Sequence, residues 1–445
     1  MKRVLLLAYH FPPIGGAPAQ RVVQLCRTLR TLGFEPVVLT GSGTIENRWA
    51  PIDAELLARL PPDLEVHRLQ RPHPVPRGAW EARLERWAGV PQAWVRWWYA
   101  EVSRMIRSTP LDVDLVHATI APYAVARTAL RVAHGLEVPL VVDLEDPWAL
   151  DEMMMYPTAL HRRIDRVRMG KTLTRADAVI MNTEEAKRRV RDSFPELRDR
   201  PVAAIPNGFD AADFEGEPDS RTDGTFRIVH TGSLHTDLGL RHRRASRLER
   251  AAGRAVAGVD FLTRSHVFLL AALERVVQQM PELVPSIEVH FAGVLTERDR
   301  EIAGRFPVRA ELHGFLSHSE TVRLIRLADL LFLPLHDVPP GTRAGIVPQK
   351  TYEYVASGRP ILAAVPPGDA RDLLEAAGTA RCCDPSDVDA IVANLVAELT
   401  RWRRGEPVRP ARADVVARHE SRTLGAQVAR VYGEVLGPGG APHLA

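Results

Sequence analysis

The chain has 445 residues, of which 45% are hydrophobic and 25% charged, a soluble globular composition with too much chain for one ordinary core. A near balance of 58 basic and 55 acidic residues, net +3, excludes bulk nucleic-acid binding. Three cysteines, Cys26, Cys382 and Cys383, form no disulfide framework and no zinc-spaced set, which fits a reducing cytoplasmic setting.

The first apolar run, Val4 to Ala8, is too short for a signal peptide or a membrane span and no longer run follows, so no spanning segment is expected. It opens a series of short apolar runs that alternate with helical stretches, the pattern of a parallel sheet covered on both faces. Strands are predicted at Val4–Ala8, Pro36–Thr40, Leu64–Arg68, Leu115–Ala118, Leu140–Leu144, Ala178–Met181 and Val202–Ile205. Helices are predicted at Ala19–Leu32, Pro91–Arg107, Ala121–Ala133, Thr158–Thr174 and Glu184–Ser193. Residues 1–205 thus read as one Rossmann-like domain, and the polar stretch that follows, 206–225, reads as a linker.

A second α/β series then begins. Its predicted strands are Arg227–Thr231, Ile287–Ala292, Val308–His313, Leu330–Leu333 and Ile361–Ala364, and its helices Ser265–Met280, Ser317–Ala328, Gln349–Ala356 and Ala370–Ala376. This domain is expected over 226–405, with an arginine-dense insertion at 236–263 that includes Arg241, Arg243, Arg244 and Arg254. The insertion reads either as a solvated helical segment or as a lid for an anionic donor or lipid head group. A last helical stretch, Val415–Val435 within 406–445, is expected to pack back on the first domain.

Ligands of open parallel sheets sit beyond the carboxyl ends of the strands. There the first strand runs into His10-Phe11-Pro12-Pro13-Ile14-Gly15-Gly16, where Gly15 and Gly16 let a phosphate or sugar approach free N–H groups, or simply make a tight turn. The loop is not GxGxxG, so no nicotinamide site is indicated. Asp143-Leu144-Glu145-Asp146-Pro147-Trp148 puts three carboxylates after a buried strand, a costly arrangement unless a substrate, a cation or a helix N-terminus meets them. Glu145, Asp146 and the strand-ending His117 are therefore the catalytic candidates. The alternatives are a helix cap for Asp146 and a satisfied core histidine for His117. Asp112-Val113-Asp114 has the look of a DxD metal motif but precedes a strand, so turn and solvation explain it better, and no metal is expected.

The most informative stretch runs from Gly341 to Tyr354. Backbone N–H groups of Ala344, Gly345, Ile346 and Val347, the helix dipole, and Arg343 or Lys350 can hold a diphosphate. Glu353, one turn on, can accept from the hydroxyls of a ribose. The plain alternative is a surface ion pair between Lys350 and Glu353.

Together these residues resemble the retaining glycosyltransferases of family 4. Phe11-Pro12-Pro13-Ile14-Gly15-Gly16 with Arg21 resembles the family's acceptor-side loop, and Pro206-Asn207-Gly208-Phe209-Asp210 its interdomain signature. His230-Thr231-Gly232-Ser233-Leu234, Phe291-Ala292-Gly293 and His313-Gly314-Phe315 resemble successive donor-domain strand ends, and Pro348 to Pro360 the donor-binding helix. The resemblance implies a GT-B fold, two doubly wound Rossmann-like domains facing across a cleft. It further implies a nucleoside-diphosphate sugar as donor, with Gly232 and Ser233 among the donor-binding residues, Arg264 and Lys350 on the diphosphate, Glu353 on the ribose and Gly314 and Phe315 near the base. No cofactor or metal would be required. Retaining transfer of a hexose to a carbohydrate or lipid-linked hydroxyl, in cell-surface polysaccharide or glycolipid synthesis, follows as the expected activity. Two departures stand out: Gly345 replaces a Glu of many members, and Glu145-Asp146 replaces His-Asp or Arg-Asp.

Two other readings compete, a nucleotide-sugar epimerase of the same fold and a non-catalytic nucleotide-sugar-binding partner of an active transferase. The tryptophan-rich helix Trp94-Val95-Arg96-Trp97-Trp98-Tyr99, with Arg86, Arg104 and Arg107 nearby, is either core or a peripheral contact with the inner face of the plasma membrane.

Overall fold

The computed structural model describes residues 1–43, 51–70, 79–216, 221–253 and 255–437, without the side chains of Ala79 and Arg86. Arg254, the Arg86 side chain, 217–220 of the polar stretch and the tail 438–445 therefore lie outside the described residues. The chain divides into two compact units, Met1–Asn207 with Ser421–Ala445, and Gly208–Glu420.

In the first unit the strands are β1 (Lys2–Ala8), β2 (Phe34–Thr40), β3 (Glu65–Arg68), β4 (Leu115–Thr119), β5 (Leu140–Leu144), β6 (Ala178–Met181) and β7 (Val202–Ala204). They form one parallel sheet in the order β3-β2-β1-β4-β5-β6-β7. The strand order reverses at β1 and β4, so their carboxyl ends flank a topological switch point. The central strands β1, β4, β5 and β6 are buried on both faces, which explains their unbroken apolar runs.

The helix Ser421–Leu436 joins this unit, burying Leu424, Val428, Ala429, Val431 and Tyr432 against Val4, Leu6, Leu25 and Phe34. The expected single helix Val415–Val435 is two, Ala413–Arg418 and Ser421–Leu436. At the interruption the His419 carbonyl accepts the N–H of Phe209. The tryptophan-rich helix, Ala93–Ser108, is core: Trp94 and Trp98 are buried under the sheet with Tyr9 and Val102. That corrects the membrane reading of this segment. Asp114 is likewise structural, accepting from Lys2 Nζ at 2.7 Å and the Arg3 N–H at 2.8 Å.

The second unit holds β8 (Phe226–Thr231), β9 (Ile287–Ala292), β10 (Arg309–Gly314), β11 (Leu330–Pro334), β12 (Ile361–Ala364) and β13 (Ala380–Cys383). They too are parallel, in the order β10-β9-β8-β11-β12-β13. The arginine-dense insertion is helical, Thr236–Arg244 and Arg247–Ala251. Gly239 lets it lie on the Leu262 backbone, where a Cβ would come within 2.4 Å, while Arg241, Arg243, Arg244, Arg247 and Arg250 are exposed.

Candidate functional site

At the carboxyl ends of β8, β9 and β10 three glycines lock the backbone into steps. Gly232 donates its N–H to Ala292 O and Gly293 donates to Gly314 O, each at 2.7 Å. All three have left-handed φ, 95° at Gly232, 144° at Gly293 and 70° at Gly314, which disfavours side chains there. A Cβ on Gly293 would lie 2.5 Å from Gly232 O, and one on Gly232 would lie 2.7 Å from Lys350 Nζ. The missing side chain at Gly232 is thus the space an ammonium occupies. Ser233 follows, half-buried, and Phe315 after Gly314 is exposed.

The helix Gln349–Ala356 brings Lys350 there. Tyr354, one turn beyond Lys350 on the same side, accepts the Thr231 N–H at 2.8 Å and so ties the helix to the end of β8. Lys350 Nζ then stands 3.3 Å from His230 Nε2. His230 is buried, and its Nδ1–H must be the donor to Phe332 O at 3.0 Å. That fixes the neutral tautomer with Nε2 as acceptor. Burial, together with the positive charge of Lys350, holds His230 well below the ordinary imidazole value. Burial likewise pushes the Lys350 ammonium down to about 7, with the Arg264 charge lowering it further and Glu353 partly restoring it. A half-buried cation in hydrogen-bonding contact with a neutral imidazole is electrostatically under-compensated. Neither His230 nor Tyr354 was given a role from sequence, although His230 opens a quoted strand-end motif and Tyr354 stands four residues after Lys350.

The loop before this helix departs from expectation in two places. The Ala344 N–H is not free: it donates to Pro367 O at 2.8 Å in a short bridge with Gly368. The Arg343 guanidinium pairs with Asp372 and Asp369, so its charge is spent at the start of the helix Asp369–Ala377. Gly345, Ile346 and Val347 are buried, and Glu353 is buried too.

In the first unit the structure gathers Arg21, His117 and Asp143 into a buried network. Arg21 Nε and Nη2 grip Asp143 at 2.6 and 3.0 Å, Nη2 also donates to Ile205 O, and Nη1 donates to Pro206 O and Asn207 Oδ1. All its donors are used, which corrects the reading of Arg21 as a ligand residue. His117, 1% exposed, has Nε2 3.1 Å from Asp143 and Nδ1 2.9 Å from the Tyr432 hydroxyl. With both ring nitrogens engaged it is a satisfied core histidine, and its catalytic reading is corrected as well. Burial alone would raise the Asp143 carboxyl, but Arg21 and His117 outweigh it and hold it below the usual range. Gly15 is also structural, since its N–H donates to Pro51 O at 2.7 Å and a Cβ would press on Asp53. Gly16, with φ 92°, starts the helix Ala17–Thr28 as its N-cap.

Glu145 and Asp146 remain at the end of β5. The Oε1 atom of Glu145 is shut off from solvent without a hydrogen-bond partner among the described residues. Burial, with the adjacent Asp146 charge, pushes its carboxyl up to about 8. Asp151, which the sequence reading did not single out, is raised for the same two reasons. The cap of the following turn is Pro147, so Asp146 is not the cap. Trp148 holds a left-handed φ of 46° and stacks on Tyr123 with centroids 5.2 Å apart. A bulky residue kept at positive φ beside acids of raised pKa marks a strained, chemically poised strand end.

A family model described as a glycosyl transferase 4-like domain matches residues 16–208. Among solved structures, the chain is similar to Anabaena HepE in complex with UDP and glucose, at 15% identity and TM-score 0.62 over 98% of this chain and 100% of that one. It is similar to sucrose-phosphate synthase of Thermosynechococcus elongatus, at 15% identity and TM-score 0.65 over 98% and 99%. It is also similar to a UDP-forming trehalose-phosphate synthase of Burkholderia xenovorans, at 15% identity and TM-score 0.57 over 96% of each chain. No curated protein matches. At these identities the likeness establishes the fold: the two Rossmann-like parallel sheets are those of the GT-B architecture.

Proposed function

We propose that this protein is a glycosyltransferase that moves a hexose from a nucleoside-diphosphate sugar to a hydroxyl acceptor with retention of anomeric configuration. The observation that carries the reading is the Lys350 ammonium seated in the space left by Gly232, against a neutral histidine and, among the described residues, with no carboxylate bonded to it. A diphosphate supplies the compensating charge, and positive φ at Gly232 and Gly314 lets its oxygens approach the backbone. Glu353, one turn along the same helix, takes the ribose hydroxyls. Because HepE was solved with UDP and glucose, uridine diphosphate glucose is the first donor to test.

In the proposed step the bond between the sugar C1 and the β-phosphate oxygen breaks, and a bond from C1 to the acceptor oxygen forms on the same face. The acceptor proton passes to the departing diphosphate, whose growing charge is met by Lys350 and Arg264. No metal is assigned a part. The acceptor, a carbohydrate or lipid-linked hydroxyl of polysaccharide or glycolipid synthesis in the cytoplasm, is assigned to the strand-end residues Glu145 and Asp146. Among the described residues no helix is long and apolar enough to cross a membrane.

The test is a screen of nucleotide sugars by thermal shift, followed by product analysis. Release of nucleoside diphosphate with an unchanged anomer supports the proposal. An isomerised sugar would indicate an epimerase, and binding without turnover a non-catalytic partner. Glu353→Gln is expected to weaken donor binding at unchanged melting temperature, and an unaltered affinity in that variant would remove the ribose assignment.

A further inference from the structure

We infer that the paired helices Ala79–Ala88 and Ala159–Leu173 form a face that rests on an anionic lipid bilayer. Among the described residues, seven of the thirteen large hydrophobic side chains that are exposed sit on these helices or just after the first: Trp80, Leu84, Trp87, Val90, Leu160, Ile164 and Val167. Trp80 is 65% exposed and Leu160 62%. Trp80, Leu84 and Trp87 fall at i, i+4 and i+7, as do Leu160, Ile164 and Val167, so each helix turns one apolar stripe outward.

The stripes are neighbours. The His161 ring meets the Trp87 ring edge-on at 5.9 Å, and His161 Nε2 lies 3.1 Å from Trp87 O. Arg168 reaches Gly89, where a Cβ would lie 2.9 Å from its Nη2. A contiguous exposed patch of this kind is uncommon on a soluble monomer and marks a surface with a partner.

Charge identifies the partner. On the second helix Arg163, Arg166, Arg168 and Lys171 are exposed, Arg162 turns inward to donate to Ala149 O and Asp151 O, and the one carboxylate is Asp165. That carboxylate is turned inward, accepting from Trp148 Nε1 and the Tyr156 hydroxyl. On the first helix Glu81 accepts from the Ala93 N–H and Glu85 from Gln92, so their charges also bend toward the protein, while Arg83 is exposed. The outward face is thus apolar stripes, two tryptophans and a basic rim. Such a face lies in the headgroup boundary with its rings at the interface and its cations on anionic lipid. A symmetric pairing with a second copy would set this basic rim against itself, which disfavours self-association.

The experiment is co-sedimentation of the full chain with vesicles of phosphatidylcholine alone and of phosphatidylcholine and phosphatidylglycerol in equal parts. Wild type is expected to sediment only with the anionic vesicles. Arg163→Gln with Lys171→Gln should weaken that binding roughly thirtyfold, and raised salt should mimic it. Trp80→Ala with Trp87→Ala should weaken binding in salt-independent fashion, and melting temperatures should show both variants folded. Failure of wild type to bind anionic vesicles, or variants that bind as well as wild type, would overturn the proposal. So would a wild-type dimer in light scattering that the tryptophan variant splits, with no vesicle binding. The result is independent of sugar transfer, because none of these residues belongs to the donor pocket.

Discussion

The Lys350 ammonium makes donor affinity depend on pH in a way that can be worked out. In the ligand-free protein its pKa lies at about 7, so it is about nine-tenths charged at pH 6 and only about 3% charged at pH 8.5. A sugar-linked diphosphate carries two negative charges throughout this range, and placed against Lys350 it draws the pKa back up. The bound form therefore keeps its proton where the free form has lost it. Affinity is highest below pH 7 and falls with rising pH, by about thirtyfold between pH 6 and 8.5, with close to one proton taken up per donor at the alkaline end. Isothermal titration in buffers of different ionisation enthalpy reads both quantities. Lys350→Arg, charged at every pH used, should bind with little pH dependence. Lys350→Met should lose about tenfold or more at pH 6 and also be flat. A wild-type dissociation constant equal at pH 6 and 8.5, or a slope that survives in Lys350→Arg, would refute the reasoning.

Three further outcomes follow. Arg21→Met leaves the Asp143 carboxylate buried without its cation and should cost about 3–5 kcal/mol in denaturant unfolding, whereas Arg21→Met with Asp143→Leu should recover much of that loss. Glu145 has a folded-state pKa of about 8 against an ordinary value of 4.5. Its contribution to stability is complete below about pH 4.5 and is lost as pH rises toward 8, so the melting temperature of Glu145→Gln should rise relative to wild type across that window. Gly293→Ala, whose Cβ would meet Gly232 O at 2.5 Å, should lower the melting temperature and impair donor binding. Gly304→Ala, where the nearest atom is 3.6 Å away, should do neither.

The two sheets were legible because strands buried on both faces must be apolar along their whole length, as Leu5-Leu6-Leu7 and Val141-Val142 show. β13 escaped because its Ala380-Arg381-Cys382-Cys383 run is only partly buried, and the helix Ala79–Ala88 because its apolar stripe faces outward. The helix that carries Lys350 and Glu353 was readable from a loop running into it. Arg21 and His117 were misassigned for a shared reason: what saturates them is far away in sequence. Asp143 lies 122 positions from Arg21, and Tyr432 lies 315 from His117. Glycines, prolines and short spacings announce a strand-end loop, but they say nothing about which polar groups the fold will spend on itself. Ala344 makes the same point, since its N–H finds Pro367 only once β12 is in place.

The Tyr432 contact has a consequence for the order in which the molecule is made. The first unit is discontinuous, and its final helix begins only at Ser421, after all of Gly208–Glu420 has been translated. A nascent chain can thus complete the later unit while the earlier one still has Val4, Leu6 and Phe34 uncovered and His117 lacking its tyrosine. Domains that fold during synthesis ordinarily finish in N-to-C order. Here the ribosome must deliver the helix Ser421–Leu436 before the amino-terminal half can close, so a premature stop near residue 420 would strand a finished later unit and an unfinished earlier one.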